Sequence, residues 1–481
     1  MGLRALDLFL TWRASVHGVF ALLVWIGLLR PGAAHGQERL RKGPWLMNHS
    51  AGRVTLLAER GTPGPVSVRA WREVAAGERQ PAPAVLHSHG PGFLHEVVLS
   101  GLAPGSRYRY EVTGTGLMTQ GGSFNTAPAE GAQEPFRFLL YGDTRSNATA
   151  HAAAVNAMRR EAADFVVHTG DLVADGRREG LWQEFFEIER DLLRQTLFVP
   201  IVGNHELRAP MREGVANFRK YVHCDPDSPH PELDYVVRYG NVRLILSNAY
   251  ENWADAPMRP WLEQQLAQAR REGPDDFLLV VMHWGLHSSG PHGPNNRLRR
   301  AGLADLFRQH GVDLVVAGHD HIYERGVESG LRYLVTGGGG AGLYRRERRL
   351  PYTEAFVAAH HFVRVDVEPG HLDLTAVRID GSILDRFRIT RPRTRGPVQR
   401  VAHAPAVAQA PVSGEAAEGA DEGDGGPVRR RRRGRRIQPR LCLCSAPGAG
   451  AASGSVAGVV ALAGLAVVGR VRRRRQSGRP R

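Results

Sequence analysis

Five short polar clusters, each just after an apolar run, hold the residues of this 481-residue chain best suited to chemistry. They are Gly142-Asp143-Thr144-Arg145 after FRFLLY, Gly170-Asp171-Leu172 after DFVVH, and Gly203-Asn204-His205-Glu206 after LFVPIV. His283 follows FLLVVM, and Gly318-His319-Asp320-His321 follows DLVVA. Asp, Asn and His are hard-to-borderline donors, suited to Mn, Fe or Zn and unlike a thiolate site. A glycine at each turn lets the backbone bend sharply and leaves the next side chain facing a crevice. One such cluster alone is also what a turn or a helix cap produces, and one buried histidine is also an ordinary core residue. The whole set, in this order and always at a strand end, points to a metal centre.

Side chains so far apart in sequence meet only if the strands that carry them lie in register. The apolar runs at 136–141, 164–168, 197–202, 242–247, 277–282 and 313–317 read as buried strands. Helical patterns near Ala148 to Glu161 and Glu179 to Leu193 alternate with them. Alternation of this kind predicts an α/β layered domain over 135–390, with ligands gathering outside the carboxyl ends of the strands. Residues 40–127 read differently. RVTLLA, VSVRAW, HEVVL and RYRYEV are short period-two runs broken by Gly and Pro, which predicts an all-β sandwich.

LSGLAPGSRYRYEV resembles the fibronectin type III pattern, through Leu99, Leu102, Pro104, Tyr108 and Tyr110. The order GD, GD, GNHE, H, GHxH resembles the calcineurin-like metallophosphoesterases. GHDHIYER at 318–325, HWGLHSS at 283–289 and YLVTGGGGAG at 333–342 are similar to the purple acid phosphatase branch. The resemblance implies a four-layer α/β domain with two central mixed sheets and two divalent or trivalent ions (Fe, Zn or Mn) between them. It assigns Asp171 as the bridging ligand. Asn204, His283 and His319 complete one metal position, and Asp143 and His321 hold the other. His205 would meet the leaving oxygen or the transferring phosphoryl group, and Glu206 and Asp320 would orient ligands. The implied chemistry is attack of activated water on a phosphate ester. Three positions depart from the branch: Ala174 stands where it has a metal-binding Tyr, His287 where its fourth motif has Tyr, and Arg145 where the wider superfamily often has His. Arg145 and His287 are candidate substrate contacts. His151 is a candidate replacement ligand, though its place near a helix start favours a solvent-facing side chain.

The net charge of +15 would suggest nucleic acid if it were spread over the fold, but most of it lies in the arginines from Arg429 onward. No nucleic-acid partner is therefore expected. Arg4 and Arg13, an apolar run from Val16 to Leu29, and small residues at Ala33, Ala34 and Gly36 make 1–36 an export signal. Residues 391–440, rich in Pro, Ala, Gly and acids before the arginine block, read as a disordered linker. In 441–481, Cys442 and Cys444 precede an apolar stretch from Ala451 to Gly469 and a final arginine run. The pattern resembles myxobacterial-type C-terminal sorting tails, which implies attachment to a membrane or cell surface, with a permanent single-pass anchor as the alternative. Cys224 is the remaining cysteine, so the body has no disulfide of its own. Together these features predict an exported phosphoesterase acting on phosphomonoesters. A phosphodiesterase for nucleotides or phospholipids, or a surface-binding protein without turnover, would share most of them.

Overall fold

Leu and Val fill both faces of the strands that carry the motifs, because each is buried on both sides. The computed structural model describes residues 37–73, 79–81, 86–88, 92–208, 211–224, 230–248 and 258–391. The signal-like start, the linker and the tail lie outside the described residues. The N-terminal strands are β1 (Lys42–Met47), β2 (Arg53–Glu59), β3 (Val66–Glu73), β4 (Arg79–Pro81), β5 (Leu86–Ser88), β6 (Leu94–Ser100), β7 (Arg107–Gly114) and β8 (Leu117–Asn125). There follow β9 (Phe136–Tyr141), α1 (Ala148–Met158), β10 (Phe165–His168), α2 (Glu179–Leu193), β11 (Leu197–Pro200), α3 (Met211–Tyr221), β12 (Tyr235–Tyr239) and β13 (Val242–Leu246). The remainder is α4 (Met258–Glu272), β14 (Phe277–Met282), α5 (Asn296–Arg300), α6 (Leu303–Gln309), β15 (Leu314–Ala317), β16 (Tyr323–Glu328), β17 (Leu331–Thr336), β18 (Thr353–Val357), β19 (His361–Glu368), β20 (His371–Arg378) and β21 (Ile383–Thr390).

Two mixed sheets form the centre. The nine-stranded sheet runs β21-β20-β19-β9-β10-β11-β1-β2-β6, and the seven-stranded sheet runs β12-β13-β14-β15-β17-β16-β18. Strands β9, β10 and β11 are parallel, as are β13, β14, β15 and β17, so their carboxyl ends open on one side. Phe138, Leu140, Val167 and Val199 pack into one apolar core with Leu244, Leu279, Val281 and Val316 of the second sheet. The alternate residues Leu139, Val166 and Phe198 join Val155, Met158, Phe185 and Phe186 of α1 and α2 in another cluster. This alternation predicts helices on the outer faces, and they are found there. Asn147 starts α1 by accepting a hydrogen bond from Ala150 N at 3.1 Å, so the helix begins just past the first motif loop.

The N-terminal region holds two sheets that share one apolar cluster, and one of them runs on into the central sheet. Strands β3, β4, β5, β7 and β8 form a sheet of their own, but β1, β2 and β6 extend the phosphoesterase-side sheet, with Leu46 of β1 paired in parallel with Leu197 of β11. Helix α2 clamps that join. Lys42 is fully buried and its Nζ lies 2.8 Å from Glu59 Oε2 and 2.6 Å from Glu179 Oε1. Arg190 Nη1 donates to the carbonyls of Leu40 and Gly43 at 3.2 and 3.0 Å. Trp45 packs on Phe186 with ring centroids 4.5 Å apart, and full burial of a side chain like Phe186 contributes about 2–3 kcal/mol. Tyr110 of the smaller sheet donates to Arg194 O at the end of α2.

His361 opens β19 in full burial, its Nδ1 donating to Ala359 O at 2.8 Å and its Nε2 accepting from Thr336 Oγ1 at 3.1 Å. Burial depresses its pKa to about 4. The unfolded chain therefore takes up a proton below its ordinary value near 6.5 while the folded chain does not, so stability is lost as pH falls from there toward 4. From pH 7 to 5 this one residue should cost about 2 kcal/mol. Urea unfolding of the wild type and His361→Gln at both pH values measures it; equal pH slopes in the two proteins would refute the assignment.

Candidate metal centre

The site is set by backbone that side chains usually avoid. Asp143, Asp171 and His319 hold φ values of 58°, 56° and 70°. Left-handed backbone outside glycine is strained and is kept where surrounding contacts enforce it, commonly at functional sites. Glycines make room beside these residues. A Cβ on Gly203 would lie 2.3 Å from Asp171 Oδ1, and one on Gly318 would lie 2.5 Å from Asp143 Oδ2. Backbone amides then fix the carboxylates: His205 N donates to Asp171 Oδ1 at 2.9 Å, and His319 N to Asp143 Oδ2 at 3.0 Å.

The sequence-derived residues converge. Asp143, Asp171 and His283, all fully buried, each offer a ligand atom within 4.8 Å of the others. His283 Nδ1 donates to Thr169 O at 2.7 Å, which leaves a lone pair on Nε2. That lone pair faces Asn204 Oδ1 at 3.0 Å and Asp171 Oδ1 at 3.4 Å. Three metal-ligating atoms thus converge on one point, an arrangement that suits a cation. The His319 ring stands 5.1 Å from that of His283. This half of the centre fits an Fe, Zn or Mn ion.

The other half is filled differently. His321 Nδ1 donates to Gly342 O at 2.6 Å, and its Nε2, 3.6 Å from Asp143 Oδ1, accepts from Arg145 Nη2 at 3.2 Å. Arg145 Nε donates to Asp171 Oδ2 at 3.0 Å. Asp143 Oδ1 is buried with no hydrogen-bond partner.

Burial drives the electrostatics. It raises the Asp143 carboxyl well above the usual range, and Asp171 adds to the effect. Burial also pushes Asp171 upward, but His283, His205 and Arg145 together pull it down to about 2. His319 falls to about 2 through burial beside His283 and His292, and His321 falls to about 4 through burial. Neutral imidazoles and a charged Asp171 are the forms that bind metal.

Glu206 accepts from the backbone amides of Gly203, Asp171 and Val173 at 2.8, 3.1 and 3.1 Å, tying the second motif loop to the third. Asp320 accepts from Ser288 Oγ and pairs with His292 Nδ1 at 2.6 Å. Both therefore orient the site. His205 donates from Nδ1 to Ala174 O at 2.6 Å and turns Nε2 toward Asp171 Oδ2, 3.7 Å away.

Two histidines are more enclosed than their sequence positions suggest. His287, a candidate substrate contact, is 1% exposed; its Nε2 pairs with Glu328 Oε2 at 2.6 Å and its ring packs on Tyr333 and Tyr352, while it also lines the cleft beside His319 and Asp320. His151 does not face solvent. It is buried, pairs with Glu189 at 2.7 Å and stacks on Phe185, so it braces α1 on α2.

Sequence reasoning also missed three residues. His292 lies on the His283 loop with its ring centroid 4.0 Å from that of His319; a third His in HWGLHSSGPHG was the available signal. Tyr344 stacks on His321 at 4.1 Å and carried no signal beyond following the glycine run. His168 accepts from Gly170 N at 3.2 Å and bonds Thr144 Oγ1 at 3.1 Å, joining the first two motif loops from below.

Residues 136–323 match the calcineurin-like phosphoesterase family. They lie within a fold like that of the purple acid phosphatases. The fold superposes on a purple acid phosphatase from yellow lupin (Lupinus luteus) with a TM-score of 0.62 at 20% identity, over 73% of this chain and 75% of that one. A phosphoenolpyruvate phosphatase of Allium cepa is 29% identical over 269 residues, 52% of this chain and 54% of the relative. The Fe(3+)-Zn(2+) purple acid phosphatase 12 of Arabidopsis thaliana is 27% identical over 302 residues, 57% of this chain and 62% of the relative. The chain thus spans a little over half the length of these curated relatives.

Proposed function

We propose that this chain is an exported metal-dependent phosphoesterase that hydrolyses phosphomonoesters. The observation that carries the reading is the convergence of His283 Nε2, Asn204 Oδ1 and Asp171 Oδ1 beside buried Asp143. An ion bound there, with His319 as a further ligand, would polarise the phosphate and lower the pKa of water. The chain's own groups do the rest. His205, aimed by Ala174 O and with Arg208 Nη2 3.3 Å from its Nε2, would stabilise the phosphoryl group as it acquires charge once that nitrogen carries a proton. Arg145 offers a planar donor fork that matches phosphate oxygens. His292, 44% exposed at its side chain and held by Asp320, stands at the rim where it can protonate a leaving alkoxide.

The signal-like start supports export, and the cysteine-preceded apolar stretch with its arginine end supports attachment to the cell surface. The strands of 40–127, fibronectin type III-like in sequence, brace α2 and through it the second motif loop. A panel of phosphate esters, assayed after chelation and after adding back Mn, Zn or Fe, tests the reading. Monoester turnover should vanish with chelation and return with metal. Turnover of diesters alone would make it a phosphodiesterase, and bound metal without turnover on any ester would make it a binding protein.

A further inference from the structure

The two halves of the centre differ in what their donors already hold. Around His283 the ligating atoms face one another. Around His321 the same kind of donors face the side chain of Arg145, which is 16% exposed. Its Nε takes Asp171 Oδ2 and its Nη2 takes His321 Nε2, the two atoms that a second ion would have to share. Tyr344, stacked on His321, lies beside the same guanidinium. Ala174 contributes only its carbonyl, to His205.

We propose that this chain holds a single ion, and that the guanidinium of Arg145 takes the place of the second cation of the centre. The inference rests on the metal-dependent reading above. A guanidinium and a metal ion cannot share this space, since they compete for the same lone pairs and repel each other where screening is weak. Arg145 keeps a permanent positive charge on that side, with donors in a fixed plane. Asp143 offers a carboxylate oxygen within 4.8 Å of ligand atoms of Asp171 and His283, within reach of the one ion. The phosphate would then be gripped between an ion on one side and an arginine on the other. That asymmetry suits a monoester, whose terminal oxygens can accept both.

Metal counting tests this without relying on turnover. The full chain is stripped with chelator, reloaded with excess Mn or Zn, freed of loose ion, and its bound metal measured by mass spectrometry and calorimetry. The wild type should hold about one ion per chain, and Arg145→Gly about two, since the ligands of the second position are then released. The added ion should be lost again in Arg145→Gly/His321→Ala, while the first stays. Arg145→His guards against a folding defect in the glycine variant and should also hold two. Two ions in the wild type would overturn the proposal. So would one ion in both Arg145 variants, because the arginine would not be what keeps the second ion out. No bound ion in the wild type would instead defeat the metal-dependent reading itself.

Discussion

Asp171→Asn is expected to strip the centre of metal and lower turnover by on the order of a thousandfold or more, while leaving the chain folded. Asn tolerates the left-handed backbone at this position, where φ is 56°, better than Ala does, so the change isolates the charge from the fold. The carboxylate answers His283, the His205 amide and Arg145 at once, so losing its charge removes the shared anchor of the whole site. His205→Ala should behave differently. Its Nε2 lies 3.7 Å from Asp171 and its Nδ1 is spent on a backbone carbonyl, so the ion should stay while turnover falls about a hundredfold or more. Metal analysis beside steady-state rates on a simple aryl phosphate separates the two. A His205→Ala protein with full metal and wild-type turnover would remove His205 from the chemistry.

Glu206→Leu should be the most destabilising single change near the site. Three backbone amides, those of Gly203, Asp171 and Val173, donate to this one fully buried carboxylate. Each buried donor left without a partner costs about 1–3 kcal/mol, so the loss should reach about 3 kcal/mol or more. Glu206→Gln should not rescue it. Every neighbour of the carboxylate is a donor, and an amide would turn its own NH2 against at least one of them. Burial, with Asp171 nearby, raises the Glu206 carboxyl to about 8 while the three amides pull it back, so the comparison with Gln is made above pH 8, where the group is charged. Metal affinity should fall about ten- to a hundredfold in both variants, because Asp171 and Asn204 lose the brace between their loops. Urea unfolding and metal titration check the two halves. A Glu206→Gln protein as stable as the wild type would show that the amides find other acceptors.

Local pattern was enough for much of this. The limits of β9, α2 and β14 coincide with the apolar runs and helical period read from the chain, since both signals arise within a few residues. The five motif clusters fall at strand ends because a polar residue that follows a buried run, in four cases through a glycine, has few other places to go. Glu206 and Asp320 were legible as orienting groups for the same reason, each being next to a ligand in sequence.

What the chain did not disclose depends on partners far along it. Three strands of the N-terminal region join the central sheet through the pairing of Leu46 with Leu197, and nothing local in KGPWLM marks that edge. His151 looked like a surface residue because its partner Glu189 sits on another helix. His287 gave no sign of its enclosure because its partner Glu328 arrives on a strand from beyond the last motif. Arg145 could be read as a substrate hand from its type alone, and only the tertiary structure brings it to Asp171 and His321. The residue types and strand-end spacing thus determined the chemistry available to this protein. Which groups meet the lone pairs of the centre was decided by tertiary packing, because a lone pair's partner is set by distance in space and not by position in the chain.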